Sequence, residues 1–204
     1  MRARPWARWK WVIGALLVTV AVSATKAEEK PWSRAYRGEL YPIIQVLGGD
    51  EITAYDGLVR LETETTPAFG AGMGVNLSDH LNINTELLVG RMDTVQSIPF
   101  VPGTDEGMGM TTWLWNANLD YNILKGRLTP LVTGGVGFVK FHNDAERRDE
   151  TDFSYNLGVG GRWDITDRIA LRVIYRSTWT TKLANADDPF QFGGVVASLI
   201  FMFK

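Results

Sequence analysis

The chain contains no cysteine and only two histidines. An exported form must therefore hold together without disulfides, and cysteine nucleophiles and thiolate metal clusters are excluded. Long apolar runs are missing as well: after residue 27 no stretch approaches the roughly 20 residues that a helix needs to cross a bilayer. Prolines number 8 against 21 glycines, so breakers of extended structure are few while small residues are many. A net charge of −2 gives no basic excess for nucleic acid.

What is present begins with a distinct N-terminus. Arg2, Arg4, Arg8 and Lys10 precede an apolar run over residues 11–22, broken only by Thr19, and small residues at Ala24 or Ala27 suit a signal peptidase. Residues 1–27 read as a cleavable secretory signal and 28–204 as one mature domain. Removing Arg2, Arg4, Arg8, Lys10 and Lys26 takes the charge from −2 to about −7. Such a chain can sit in a membrane only as a closed barrel, where strands satisfy every backbone group.

From residue 39 to 203 the chain falls into stretches with a period of two, separated by turn residues. Phe153, Tyr155, Leu157, Val159 and Trp163 alternate with Ser154, Asn156, Gly158, Gly160 and Arg162. Residues 68–77, 81–90, 112–122, 169–179 and 194–203 repeat the pattern. Residues 39–48, with Pro42, and 128–141, with Pro130 and several glycines, are the least decided. The count predicts an antiparallel up-and-down barrel of about eight strands, whose interior side chains just fill.

Charge decides which face looks outward. The apolar parity is almost free of charges, whereas the polar parity carries Glu86, Asp120, Arg162, Arg172 and Arg176. A charge-free outer band is what lipid demands, because Arg or Lys at the bilayer midplane costs about 2–4 kcal/mol. The aromatics of that parity, Trp113, Trp115, Tyr121, Tyr155, Trp163, Trp179, Phe201 and Phe203, fall at strand ends, as two interfacial girdles require.

Short linkers at 77–80, 123–127 and 164–167 alternate with longer ones at 48–66, 92–109, 142–151 and 182–189, the rhythm of periplasmic turns and outer loops. The first and third long linkers are acidic. Residues 52–63 could continue the first hairpin above the membrane.

These features resemble the OmpA-like, porin-like family of small outer-membrane barrels. The resemblance rests on Phe69-Gly70-Ala71-Gly72-Met73-Gly74-Val75 with its Leu77-Ser78-Asp79 turn, the Gly134-Gly135-Val136-Gly137-Phe138 strand, Leu157-Gly158-Val159-Gly160-Gly161-Arg162-Trp163 with its Thr166-Asp167 turn, and the aromatic last strand. It implies a Gram-negative outer-membrane location, contact with outer-membrane lipid and lipopolysaccharide, and handling by the barrel assembly machinery through the C-terminal strand. Two departures stand out: Lys204 follows Phe203 where members end on an aromatic, and Ser198 stands where a glycine is common. The length leaves no expectation of a peptidoglycan-binding domain.

Some barrels of this size are lipid A modifying enzymes, which need a base beside a hydroxyl nucleophile. His80 falls in a turn and His142 at a loop start beside Asp144, neither with a serine at alternating spacing. No catalytic, cofactor or metal site is expected, no nucleic-acid partner, and the extracellular partner is left open. The expected function is envelope structure or surface interaction through acidic outer loops, with a narrow channel as the alternative and a lipid A enzyme third. Counting residues from the strand ends places Glu86 between Arg172 and Arg176 in depth and puts Asp120 with Arg162 in a lower layer, an ionic plug of the lumen.

Overall fold

The computed structural model describes residues 33–49, 52–54, 59–63, 66–97, 106–143, 148–181 and 191–204. The signal sequence, Asp144 and the linker 182–189 lie outside the described residues.

Among the described residues the chain forms ten strands: β1 (Gly38–Gly49), β2 (Ile52–Ala54), β3 (Val59–Thr63), β4 (Thr66–Asn76), β5 (Leu81–Ser97), β6 (Glu106–Asn122), β7 (Leu128–Asn143), β8 (Arg148–Asp164), β9 (Ile169–Thr180) and β10 (Gln191–Phe203). Eight of them close a ring in the order β5-β4-β1-β10-β9-β8-β7-β6, with β6 returning to β5. Closure leaves no open edge in the apolar band, the condition for spanning lipid with strands.

Short β2 and β3 do not enlarge the ring. Ile52 pairs with Leu61 in the same register as Gly38 with Val75, so they extend the β1–β4 hairpin.

Paired residues followed around the ring from Glu39 run through Gly74, Asn84, Asn118, Gly135, Asn156, Thr178 and Phe192 and return to β1 at Gly49, ten residues further on (49 − 39). Ten residues of ~3.3 Å against eight strand spacings of ~4.8 Å set a tilt of about 40°.

The undecided stretches resolve cleanly. In β1, Glu39, Tyr41, Ile43 and Gln45 are buried while Leu40, Ile44 and Val46 are exposed; in β7, Leu131, Thr133, Val139 and Phe141 point inward and Val132, Val136 and Phe138 outward. Three long linkers are shorter than their sequence suggests. Residues 92–97 and 106–109 are strand, with Gln96 opposite Glu106, and β8 starts at Arg148 opposite Asn143. Beyond the apolar band both faces of a strand meet water, so the hydrophobic period that marks a strand in the sequence disappears there.

Two of the three turns that close the other end share one chemistry. Ser78 Oγ accepts from the N–H groups of His80 at 3.2 Å and Leu81 at 3.0 Å, and Thr166 Oγ1 accepts from those of Arg168 at 3.1 Å and Ile169 at 3.0 Å. A hydroxyl followed by aspartate thus fixes both reversals, as Ser and Thr do wherever they cap local N–H groups.

Candidate functional site

The lumen gathers the charges. Its walls place Glu86 on β5, Asp120 on β6, Arg162 on β8 and Arg172 and Arg176 on β9, all buried. Arg172 Nη2 lies 2.5 Å from Glu86 Oε1 and Nη1 lies 2.8 Å from Asp120 Oδ2. Arg176 Nη1 sits 2.6 Å from the other Glu86 oxygen, Oε2, at an angle outside hydrogen-bond geometry. The guanidinium of Arg172 also stacks on the ring of Tyr41, 4.6 Å from its centroid. These four ionic side chains, two of each sign, form one neutral cluster.

Arg162 is elsewhere, and the expected Asp120–Arg162 layer is corrected. Its Nη1 meets Glu39 Oε1 at 2.7 Å and its Nε meets Asp164 Oδ1 at 2.8 Å. The tilt is the reason. Each strand crossed from β1 through β4 towards β10 raises the hydrogen-bond ladder about 3 Å, and each residue along a strand covers about 2.5 Å of the axis. The ladder through Asp120 reaches Gly158 on β8 and Arg176 on β9, each four residues from the arginine in question. Four residues descend about 10 Å against a climb of about 6 Å to β8 and about 9 Å to β9, so Arg172 is level with Asp120 and Arg162 lies below it. Residue counts from a slanted rim do not measure depth.

Arg162 belongs to a second cluster, most of which sequence reasoning missed. Asp164 also accepts from Arg34, Nη2 to Oδ2 at 2.8 Å, with both side chains fully buried. Arg34, Asp164, Arg162 and Glu39 again balance, two charges of each sign. Glu39 lay in the undecided first strand and Asp164 in a presumed turn; Asp164 shares the inward parity of Arg162, the one signal that could have found it.

Asparagines join the clusters to the walls. Asn76 Nδ2 and Asn82 Nδ2 donate to Glu39 at 2.6 Å and 3.2 Å, Asn84 donates to Asn82 at 3.0 Å, Asn118 to Asn84 at 3.2 Å and Asn156 to Asn118 at 3.0 Å. Asn82, Asn84 and Asn118 each both give and take, while Asn76 and Asn156 donate only, so the amides form a hydrogen-bonded belt from β1 to β8. Further out along the strands, Leu88, Leu114, Val139, Phe141 and Phe192 line the lumen and are buried there.

Room for the crossing side chains comes from glycine. A Cβ at Gly72 would stand 2.3 Å from Tyr41 Cε2, inside the ring that carries Arg172. The Gly70-Ala71-Gly72-Met73-Gly74 repeat is therefore a smooth inner wall with an apolar outer face.

Outside, Tyr121, Trp163, Phe201 and Phe203 are exposed near the turn end of their strands, and Trp113, Trp115 and Tyr155 near the middle of theirs, further out along the barrel. Trp179, half-buried, stacks on Tyr155 with centroids 5.3 Å apart. Phe138, absent from the sequence-based girdle, links Trp115 at 5.9 Å to Phe153 at 5.8 Å. On β6 the eight residue steps from Trp113 to Tyr121 span about 20 Å of the axis, near the ~25 Å apolar band of an outer-membrane barrel. His80 is held at the turn end, its Nδ1 2.7 Å from Asn122 O and its ring stacked on Tyr121. His142 is half-buried near the other end of β7, opposite Thr111 and Asp149.

Comparison with known proteins agrees with this architecture. The outer membrane protein OprG from Pseudomonas aeruginosa superposes with a TM-score of 0.59 at 9% identity, over 86% of this chain and 99% of that one. Neisserial surface protein A gives a TM-score of 0.56 at 11% identity, over 84% and 99%. At such identities the likeness is one of fold. No curated protein matches the sequence. The model of the outer membrane protein beta-barrel domain matches residues 14–203, and the chain belongs to that family of bacterial outer-membrane barrels.

Proposed function

We propose that this chain is a non-enzymatic outer-membrane barrel with a closed lumen, acting in envelope structure or surface interaction through its acidic outer loops. One observation carries the reading: Arg172 reaches across the whole lumen to hold Glu86 and Asp120 together. An ion passing this layer would have to break a desolvated pair, and leaving one buried charge without its partner costs about 3–5 kcal/mol. The engagement of the His80 ring, whose Nδ1 lies 2.7 Å from the Asn122 carbonyl, supports the non-enzymatic part. Outer-membrane lipid and lipopolysaccharide are the partners of the apolar band, and the barrel assembly machinery that of β10.

A narrow porin-like channel is the competing reading. In its favour, Arg176 Nε and Nη2, the Gln45 amide and the hydroxyls of Thr112, Ser154 and Thr178 lack hydrogen-bond partners among the described residues. Planar-bilayer recording separates the two. Purified protein that inserts without conducting supports the closed barrel, whereas stable single-channel steps from the wild type would overturn it.

A further inference from the structure

Beneath the lower cluster the chain enters the barrel through residues 33–37, and one side chain there is out of place for a terminal segment. Ser33 and Tyr36 are exposed, yet Arg34 between them is completely buried. Its guanidinium is surrounded in its own plane. Nη1 donates to the carbonyl of Asp79 at 2.8 Å, Nη2 to the carbonyl of Gly126 at 2.7 Å, and Nε and Nη2 to Asp164 Oδ2 at 3.1 Å and 2.8 Å. Asp79 lies in the turn between β4 and β5, Gly126 in that between β6 and β7, and Asp164 ends β8 where the third turn begins. All three reversals of this end converge on one cation.

We propose that the turn end of the barrel forms a guanidinium-binding site, built from Asp164 and the carbonyls of Asp79 and Gly126 and filled in cis by Arg34. The chemistry selects guanidinium over ammonium: a planar fork engages a carboxylate and two carbonyls at once, whereas an ammonium is a point donor that reaches fewer of them. The backbone sets the approach. Arg34 N and Ser33 Oγ both donate to Asp79 Oδ1 at 2.8 Å, and Tyr36, at a φ of 62°, turns its N–H onto Asn76 O at 2.7 Å. The site stands apart from whether the lumen conducts, since it lies at the mouth and binds a cation that the lower cluster needs for balance.

The test is chemical rescue of the full barrel refolded in lipid. Arg34→Ala should lower the melting temperature, and guanidinium at millimolar concentration, far below denaturing levels, should restore it with a saturable dose dependence. Methylammonium and sodium at equal ionic strength should not, Arg34→Lys should melt below wild type, and wild type should not respond to low guanidinium. Melting of Arg34→Ala like wild type, or equal rescue by sodium, would overturn the proposal. Should Arg34→Ala fail to fold, solvent exchange of the Arg34 Nε proton in the wild type decides. Strong protection supports the site, and exchange at the rate of free arginine removes it.

Discussion

Arg172 and Glu86 stand on strands four apart in either direction around an eight-stranded ring, so their 2.5 Å contact spans the full diameter of the barrel. Arg172 stacks on the Tyr41 ring and pairs with Asp120, and among the described residues no other side chain joins both acids. Arg172→Ala should therefore cost about 3–5 kcal/mol of unfolding free energy, since it takes from Asp120 its ion-pair partner and leaves Glu86 with Arg176. Arg172→Lys should recover only part, because one ammonium cannot serve both acids in fork geometry. Urea unfolding in lipid vesicles measures both, and wild-type stability of Arg172→Ala would refute the bridge.

Gly72 provides a second handle on the same layer. The methyl of Gly72→Ala would enter the Tyr41 ring, so the ring and the guanidinium stacked on it must shift. Overpacking of this kind costs about 1–3 kcal/mol. The double variant Gly72→Ala/Tyr41→Ala should lose less than the sum of its parts, and strict additivity would show that the two positions do not press on one another.

Legibility followed the solvent. Within the lipid band the apolar and polar parities of β4, β5, β6, β8, β9 and β10 could be read because one face meets hydrocarbon and the other a polar lumen. The first strand was obscured by Pro42 and by Ile43, which points into the lumen and is buried there beside Glu39 and Gln45. Strand ends beyond the band, such as 92–97, carry no period to read. Which charges meet could not be had from parity alone. Depth depends on the stagger of the ring, a property of all eight registers together, and Asp120 went to Arg172 for that reason. Arg34 was illegible for a different cause: its burial is made by three turns distant in sequence.

The outer face predicts a depth-dependent cost. Ala117 lies midway on β6 between Trp113 and Tyr121 and faces outward. Ala117→Arg should destabilise the barrel in vesicles by about 2–4 kcal/mol, while Tyr121→Arg, at the interface, should lose only about 0–1 kcal/mol of charge-transfer free energy beyond its lost ring contacts. Equal costs at the two sites would contradict the bilayer position given by the girdles.

The last prediction concerns acid and the terminal segment. Burial would raise the Asp79 carboxyl, but hydrogen bonds from Ser33 Oγ and the N–H groups of Arg34 and Ala35 outweigh it and hold the group below the ordinary aspartate range. A carboxyl lowered on folding contributes stability that is complete above its unfolded value, near 4, and is lost as pH falls through the lower folded value. The anchorage of residues 33–37 should therefore be constant at neutral pH and weaken below about pH 4. Amide protection of Arg34, whose N–H is bound to Asp79, reports this locally, while Tyr36 bound to Asn76 O tracks the segment. Asp79→Asn keeps an oxygen acceptor but cannot titrate, so its protection should be flat over the same range. Loss of protection at equal pH in both proteins would assign the transition to another carboxylate.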